Sequence, residues 1–330
     1  MSHRVGVVGA GWRAEFFLRL ARELADDFEL VGLASRDVDR AASVAEAHST
    51  RAWGSPGDLI RHGRPDLVVV AVPPEVNLEA TSTLVQMGAH VLTETPPATT
   101  LAGLQQFWAE LGGTGRVQVA EQYLRLPGHA ARRAIVESGA IGQPTSVQVS
   151  STHDFHAVAI MRGMLDVDIS DVAVRASDHA GPLVDPLTRA GWTDDDEPRE
   201  AASVLATIDF GSRQALYDFT DNQWHNRLRH RRIVVRGSAG EIVDDSVVRL
   251  AGPRRIVSSP LVRSQLGYDL NLDGYETEHV QFEGQVVYQN PFPGHRFMDE
   301  ELAIASVMKD AALWSTGEGC GPYSLQSAVH

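Results

Sequence analysis

A glycine-containing turn near the start of the chain constrains its fold more than any other feature. A short apolar run leads into Gly9-Ala10-Gly11, and a helical pattern begins at Ala14. Gly9 permits a tight turn, Gly11 lets the backbone approach a pyrophosphate, and Ala14 lets the helix pack closely on the strand. The helix N-terminus then presents free N–H groups and its positive dipole end to an anion. In this strand–turn–helix context the pattern predicts a dinucleotide-binding Rossmann domain.

Strands and helices alternate over the first 120 residues. Strands are expected at 4–8, 29–34, 67–72, 90–93 and 116–120, and helices at 14–24, 38–46, 77–87 and 101–111. The third strand is a continuous apolar run, as expected of a central strand covered on both faces. This alternation predicts an α/β fold with a doubly wound parallel sheet.

The second half of the chain has a different pattern, in which strands predominate. One helix is expected at 128–138, and glycine turns separate paired apolar runs at 202–210 and 214–220 and again at 231–236 and 241–245. A final helix is expected at 297–313. We therefore expect two domains, a Rossmann domain over 1–121 and an α+β domain over 122–330 with a large, open, mostly antiparallel sheet.

Composition excludes several classes of protein. The 330 residues carry 43 acidic and 29 basic side chains, a net charge of −14, which argues against nonspecific binding of nucleic acid or an anionic membrane surface. Cys320 is the only cysteine, so an internal disulfide cannot form. The apolar runs are too short to span a bilayer and the first residues do not resemble a signal peptide, so a cytoplasmic location is expected.

The end of the second strand bears on the choice of dinucleotide. Rossmann domains that bind NAD usually place an acidic residue there, to hold the ribose 2′-hydroxyl. This chain has Ser35-Arg36 instead, and Arg36 could pair with a 2′-phosphate. NADP(H) is therefore favoured and NAD(H) is the alternative, in which Arg36 is a solvated loop residue.

Further segments follow the pattern of one family in order along the chain. They lie at 72–77, 88–98, 122–127, 138–142, 234–240 and 322–325 and include Val72-Pro73-Pro74, Glu94-Thr95-Pro96 and Gln122-Tyr123-Leu124-Arg125. Together they resemble the Gfo/Idh/MocA (glucose-fructose oxidoreductase / inositol dehydrogenase) family. The resemblance implies an NAD(P)-dependent oxidoreductase that forms homodimers or homotetramers through its C-terminal sheet. It also implies cofactor contacts from Gly9, Ala10, Gly11, Trp12, Arg13, Ser35, Arg36, Val72, Pro73, Asn77, Glu94, Thr95, Pro96 and Gln122.

Two positions depart from the family pattern. Thr95 stands where the family has the lysine usually linked to proton transfer, and Asn77 stands where it has a histidine after the Pro-rich turn. A threonine cannot act as a cationic acid at pH 7. Thr95 is therefore kept as a candidate catalytic position, while another residue must move the proton.

The best candidates for that proton transfer are His153 and His156. The segment Ser150-Ser151-Thr152-His153-Asp154-Phe155-His156 can be matched to a family segment that contains a histidine near the substrate. Histidine suits acid–base chemistry because its pKa lies near the operating pH. Both histidines could instead be structural or exposed. Two histidines do not make a metal site, so no metal is predicted.

A dense basic run at 222–232 and the pair Asp178-His179 are weaker candidates. The run contains His225 and His230 and could bind an anionic substrate such as a carboxylate or a sugar phosphate. It could equally be a solvated strand end or an oligomer contact.

The leading interpretation is an NAD(P)-dependent oxidoreductase that transfers a hydride to or from a small polyhydroxylated or cyclic, sugar-like substrate. Thr95 gives weight to two alternatives. One, which the resemblance implies because some members of the family work in this way, is a non-redox enzyme that uses a bound dinucleotide for elimination or glycoside cleavage. The other is a protein that holds the cofactor without turnover.

Overall fold

The structure, a computed structural model, describes residues 2–167, 169, 171–188, 190–267, 269 and 274–330. The chain divides into two compact units. The first comprises Met1–Gln122 together with Glu300–His330, and the second comprises Tyr123–Asp299. This differs from the expected boundary, which placed all of 122–330 in one domain, because the last residues of the chain return to the first unit.

Parallel strands and helices alternate through the N-terminal part of the first unit. The elements are β1 (His3–Val8), α1 (Trp12–Glu23), β2 (Phe28–Ala34), α2 (Val38–Ala47), β3 (Ala52–Trp53), α3 (Pro56–Asp58), β4 (Leu67–Val70), α4 (Pro74–Gln86), β5 (His90–Thr93), α5 (Leu101–Leu111) and β6 (Val117–Val119). All neighbouring strands are parallel, in the order β3-β2-β1-β4-β5-β6. The predicted doubly wound parallel sheet is confirmed.

Several expected boundaries in this sheet move. The third expected strand, 67–72, ends at Val70, and the following helix begins at Pro74 instead of residue 77. Proline suits the first helical position, where its missing N–H has no partner to lose and its φ is already helical. The first helix likewise starts at Trp12, directly after the glycine turn. The two-residue strand β3 was not predicted, because so short a run carries no periodic signal.

The second unit is built on a ten-stranded sheet. Its elements are α6 (Pro127–Glu137), β7 (Pro144–Val149), α7 (Asp154–Leu165), β8 (Ala173–Leu183), β9 (Leu187–Thr188), β10 (Gly191–Trp192), β11 (Arg199–Asp209), β12 (Gln214–Thr220), β13 (Ile233–Gly237), β14 (Gly240–Val243), β15 (Ser246–Gly252), β16 (Arg255–Leu266), β17 (Glu276–Phe282) and β18 (Gln285–Gln289). The strand order is β18-β17-β16-β15-β14-β13-β7-β12-β11-β8, with β9 and β10 paired separately. All neighbours are antiparallel except β7 and β12, which confirms the expected open, mostly antiparallel sheet.

The two faces of this large sheet have different environments. On β12, Ala215, Tyr217 and Phe219 are buried, whereas Leu216 between them is exposed. Side chains of a strand alternate between faces, so β12 has one covered and one open face. The covered face packs with residues of α6 and α7, including Ile135 and Ile160, into one apolar core.

The chain ends with α8 (Asp299–Ser315) and α9 (Leu325–Val329). Ion pairs join Glu301 of α8 to Arg19 of α1, and Lys309 of α8 to Asp27. Leu325 belongs to the apolar core of the parallel sheet. These contacts are why residues 300–330 belong to the first unit. Of the residues that the structure describes, none lies in a helix long and apolar enough to cross a membrane.

Candidate active site

The carboxyl ends of four adjacent parallel strands carry the segments that the sequence singled out. Backbone hydrogen bonds join these ends: Gly9 N donates to Ala34 O at 2.9 Å, Ala71 N to Val8 O at 2.9 Å, and Glu94 N to Val70 O at 2.9 Å. The strand order reverses between β1 and β4, whose connections run to opposite sides of the sheet. In open α/β sheets, ligands bind outside the carboxyl ends of strands at such a switch point.

The glycine turn has the geometry that a pyrophosphate requires. Gly9 has a φ of 131°, and a Cβ there would lie 2.2 Å from the carbonyl oxygen of Ala71. A Cβ on Gly11 would meet no protein atom within 4 Å. Gly11 is the N-cap of α1 and has no side chain with which to cap the helix. The open space at Gly11, at the positive end of the helix dipole, fits a phosphate group.

The residues after β2 are organised around the start of α2. Ser35 Oγ accepts a hydrogen bond from Asp37 N at 3.3 Å, and Asp37 caps α2 by accepting from Arg40 N at 3.0 Å. Arg36 is exposed. Arg40, which sequence reasoning missed, donates from Nε to Ala10 O at 2.5 Å and so ties α2 to the glycine turn. The capping position of Asp37 was the available signal, because it places Arg40 in the first turn of the helix.

Arg13 and Glu94 form a half-buried ion pair between α1 and the end of β5. Arg13 Nη1 also donates to Glu300 at 3.0 Å, and its guanidinium lies 5.1 Å from the ring centroid of Phe16. Burial alone would lower the pKa of Arg13, but the charges and hydrogen bonds of Glu94 and Glu300 outweigh it and the pKa is raised. Arg13 thus stays charged and fixes Glu94.

Glu94 in turn holds Thr95. The backbone N of Thr95 donates to Glu94 Oε2 at 2.6 Å, and its hydroxyl donates to the same atom at 3.2 Å. Pro96, the next predicted contact, is half-buried. The segment that resembles the family's proton-transfer motif is therefore bonded within itself. Arg13 pairs with Glu94, and Glu94 accepts the hydrogen bonds of Thr95.

Asn77 and Gln122 are both buried beside this edge of the sheet. Asn77 Nδ2 donates to Pro97 O at 3.1 Å, and its Oδ1 accepts from the hydroxyls of Thr81 and Thr93 at 3.2 and 2.9 Å. Asn77 therefore anchors the loop after β5. Gln122 Oε1 is buried without a hydrogen-bond partner among the described residues. Val72 is half-buried, whereas Pro73 and Trp12 are exposed.

His153 and His156 meet in an aromatic cluster at the start of α7. Their ring centroids lie 5.2 Å apart, and the His156 ring is 4.2 Å from both Tyr123 and Phe155. His156 is buried and His153 half-buried. Nearby, Tyr217 Oη accepts a hydrogen bond from Asp154 N at 3.1 Å, and burial raises the pKa of Tyr217 to about 12.

Two hydroxyls directly before these histidines have unmet hydrogen-bonding capacity. Ser151 Oγ and Thr152 Oγ1 are buried without a hydrogen-bond partner among the residues that the structure describes. Buried polar atoms normally have partners, so an exception calls for an explanation such as a bound molecule. The segment 150–156 thus combines two imidazoles with two hydroxyls that a ligand could engage.

The remaining candidate residues, at 178, 179, 225 and 230, do not come together in one site. Asp178 and His179 are exposed neighbours on β8, so their side chains point to opposite faces of the sheet. His225 Nε2 lies 3.1 Å from Leu187 O and 3.5 Å from Asp185 Oδ1, and His230 is exposed. No group of three or more His, Cys, Asp or Glu side chains that could hold a metal ion occurs among the described residues.

Comparison with known proteins finds a family model that matches the N-terminal part of the chain. Residues 3–123 match GFO_IDH_MocA, described as "Oxidoreductase family, NAD-binding Rossmann fold".

Similar proteins include two from Saccharopolyspora erythraea. Inositol 2-dehydrogenase 3 is 28% identical over 44% of this chain and 43% of its own length, and inositol 2-dehydrogenase 1 is 29% identical over 60% and 67%. The chain thus spans less than half of the first of these relatives. Levoglucosan dehydrogenase, solved with NADH and levoglucosan, shares the fold, with a TM-score of 0.69, 17% identity, and coverage of 100% of this chain and 94% of its own.

Proposed function

We propose that this protein is an NAD(P)-dependent oxidoreductase acting on a small polyhydroxylated or cyclic, sugar-like substrate. The observation that carries the proposal is the open space at Gly11, the N-cap of α1, at the switch point of the parallel sheet. When bound there, a nicotinamide dinucleotide supplies hydride chemistry. The similarity to inositol dehydrogenases supports a polyol or sugar-like substrate.

His153 or His156 is proposed to move the proton at the substrate oxygen. Oxidation of a carbinol needs a group that takes this proton, and Thr95 cannot do so at neutral pH. The two rings lie 5.2 Å apart at the start of α7, next to the unpartnered hydroxyls of Ser151 and Thr152. These hydroxyls would orient the substrate by hydrogen bonds.

A substrate screen tests the proposal directly. Purified protein is mixed with NAD⁺ or NADP⁺ and a panel of cyclic polyols, sugars and sugar acids, and formation of reduced nicotinamide is followed by absorbance. We expect turnover with at least one compound, abolished in a Gly11→Leu variant. If the protein binds neither dinucleotide in calorimetry, the proposal is wrong.

NADP(H) is the proposed preferred dinucleotide. Support comes from Ser35 and the exposed Arg36 at the end of β2, where an acidic residue would otherwise hold the ribose. Arg36→Ala should weaken NADP(H) binding by about 1.5–3 kcal/mol, the range for a charged hydrogen bond, and leave NAD(H) binding nearly unchanged. Equal losses for the two dinucleotides would contradict this preference.

Because Thr95 replaces the family's lysine, two alternative functions gain support. In a non-redox enzyme that drives elimination or glycoside cleavage, the dinucleotide would stay bound and would not be consumed in proportion to product. In a binding protein, dinucleotide would bind without any turnover, and Thr95→Lys could create activity. Counting reduced nicotinamide against product in the screen separates these cases.

A second copy of the chain is the proposed partner, through the open face of the ten-stranded sheet. Strand registers place a set of exposed apolar side chains on this one face: Leu205, Leu216, Val243, Val248, Leu250 and Ile256. A patch of this extent is typical of an interaction site. Light scattering should give a dimer or tetramer, and Leu250→Glu with Ile256→Glu should give monomers; a monomeric wild type would contradict the proposal.

A further inference from the structure

The loop that joins β12 to β13, residues 221–232, is held in a defined course by two buried amides. We call it the basic loop. Gln223 Oε1 accepts from Thr220 N at 2.9 Å, and its Nε2 donates to Ser150 O at 2.9 Å and to His230 O at 2.7 Å. Asn226 Nδ2 donates to Val184 O at 2.9 Å. These contacts fix the course of the loop backbone.

The basic loop adjoins the segment of the candidate histidines. Ser150 N donates to Arg232 O at 2.8 Å, so the last residue of the loop is bonded to the segment that contains His153. The His153 ring centroid lies 6.2 Å from that of Phe219, on the strand that leads into the loop. The loop and the candidate histidines therefore occupy the same end of the sheet.

Three arginines of this loop carry positive charge that no described carboxylate neutralises. Arg227, Arg229 and Arg231 are exposed and form no ion pair among the described residues. Carboxylates near the loop have other partners: Asp218 pairs with Arg232 at 3.2 Å, and Asp185 accepts from Asn222 at 2.7 Å. In a chain of net charge −14, this is a local excess of positive charge.

A second observation concerns the electrostatic effect of Arg231 on a buried histidine. Burial and then the charges of Arg132 and Arg231 lower the pKa of His129, which lies in the first turn of α6, to about 3. The charge of Arg231 is therefore near enough to His129 to contribute to this lowering. The hydroxyl of Thr152, fully buried and unpartnered among the described residues, is at the same end of the sheet as the basic loop.

We infer that the basic loop selects a substrate bearing an anionic group, a carboxylate or a phosphate, and binds that group beside the candidate histidines. This inference rests on the proposed function and narrows its substrate class. Guanidinium groups bind carboxylate and phosphate oxygens in a bidentate geometry, so three of them on one fixed loop discriminate an acid from its neutral parent sugar.

Matched pairs of probes test this inference. Wild type is assayed with D-gluconate and D-glucose 6-phosphate as anionic probes and with D-glucose and myo-inositol as neutral ones. The variant Arg227→Gln/Arg229→Gln/Arg231→Gln should lower the ratio of kcat/KM for anionic over neutral probes by about 10- to 100-fold, since charged hydrogen bonds contribute about 1.5–3 kcal/mol. Arg229→Gln alone should give a smaller change in the same direction. Arg175→Gln, an exposed arginine on β8, is the matched control.

Binding separates failure of the inference from failure of the proposed function. Calorimetry with D-gluconate and with inorganic phosphate should show affinity that falls with salt and is lost in the triple variant but not in Arg175→Gln. If wild type prefers neutral probes and binds neither anion, the inference is overturned while oxidoreductase activity stands. If no probe is turned over but the arginine-dependent binding is seen, the proposed function fails and the anion site stands.

Discussion

Two segments that end strands in the two units differ in how their polar groups are used. After β5, one oxygen of Glu94 accepts from Arg13 and the other accepts from Thr95, so each of these groups has a partner. After β7, the hydroxyls of Ser151 and Thr152 are buried and have no partner among the described residues. Because buried polar atoms are normally bonded, the first segment has its hydrogen-bond partners within the protein, whereas the second keeps hydrogen-bonding capacity that a ligand could use.

This difference predicts where substitutions act. Changes in the Glu94 segment should lower the free energy of unfolding, because they leave buried charges without partners. Changes in the segment 150–156 should lower turnover more than stability.

The largest expected effect lies in the second segment. His153→Ala, and His156→Phe, which keeps the ring packing on Tyr123, should each be tested for kcat on an identified substrate. If one of these histidines moves the proton, its variant loses about 100- to 10,000-fold in kcat, with dinucleotide affinity unchanged. His179→Ala, at an exposed position, is the control. Full activity in both variants would show that neither histidine moves the proton, and the segment 150–156 would then no longer differ from the Glu94 segment in function.

The next largest effect lies in the first segment. Arg13→Leu removes the cation that pairs with Glu94, and leaving a half-buried carboxylate unpaired should cost about 3 kcal/mol of unfolding free energy. Arg22→Leu, which removes an exposed pair with Glu23, should change stability by less than about 1 kcal/mol. Urea unfolding measures both. A variant of Arg13 with normal stability but lost turnover would show that this segment is catalytic after all.

The glycine turn gives a third, separable pair of effects. Gly11 has an ordinary extended φ of −85° and open space at its Cβ, so Gly11→Leu should fold normally yet bind dinucleotide about 100-fold more weakly, the loss expected for a charged phosphate contact. Gly9→Ala should instead destabilise the fold, because its Cβ would meet Ala71 O at 2.2 Å. Calorimetry and thermal unfolding distinguish the two outcomes. Equal dinucleotide affinity in Gly11→Leu would place the site elsewhere.

The smallest expected effect is a pH dependence of stability from His129. Its pKa is lowered to about 3, chiefly by burial, whereas an unfolded histidine has a pKa of about 6.5. Below about pH 6.5 the unfolded chain takes up a proton that the folded chain refuses, so stability falls as the pH drops toward 3. The loss should be about 2 kcal/mol at pH 5. His129→Leu should flatten the urea midpoint between pH 7 and pH 5, and His230→Leu should not; an unchanged slope would refute the assignment.

Local patterns in the sequence predict the parallel sheet well and the second unit only in part. The alternation around β1, β2, β4 and β5 is repeated and regular, and glycine turns mark the hairpins β11–β12 and β13–β14. The strands β7 to β10 and β15 to β18 and the helix α7 were not predicted. The strand β16, Arg255–Leu266, has polar residues and a proline between its apolar ones, so its place depends on pairing with β15 and β17.

The candidate site shows the same division. The glycine turn and the histidines could be found because each lies within a short sequence motif. The partners of Arg13 could not, since Glu94 is 81 residues away and Glu300 is 287 residues away along the chain. Likewise, only the fold shows that Gln223 bonds Ser150 and so brings the basic loop to the candidate histidines.

The return of the chain end to the parallel sheet has a consequence for synthesis. Val119 N donates to Tyr323 O at 2.9 Å, and Leu325 completes the apolar core beside β6. A ribosome adds about 5–20 residues per second, so the first sheet to emerge waits on the order of ten seconds or more for its last contacts. During that interval the later-made unit, 123–299, can fold completely. The domain translated first is therefore the one finished last, and its exposed edge is where a nascent chain of this protein most needs protection from aggregation.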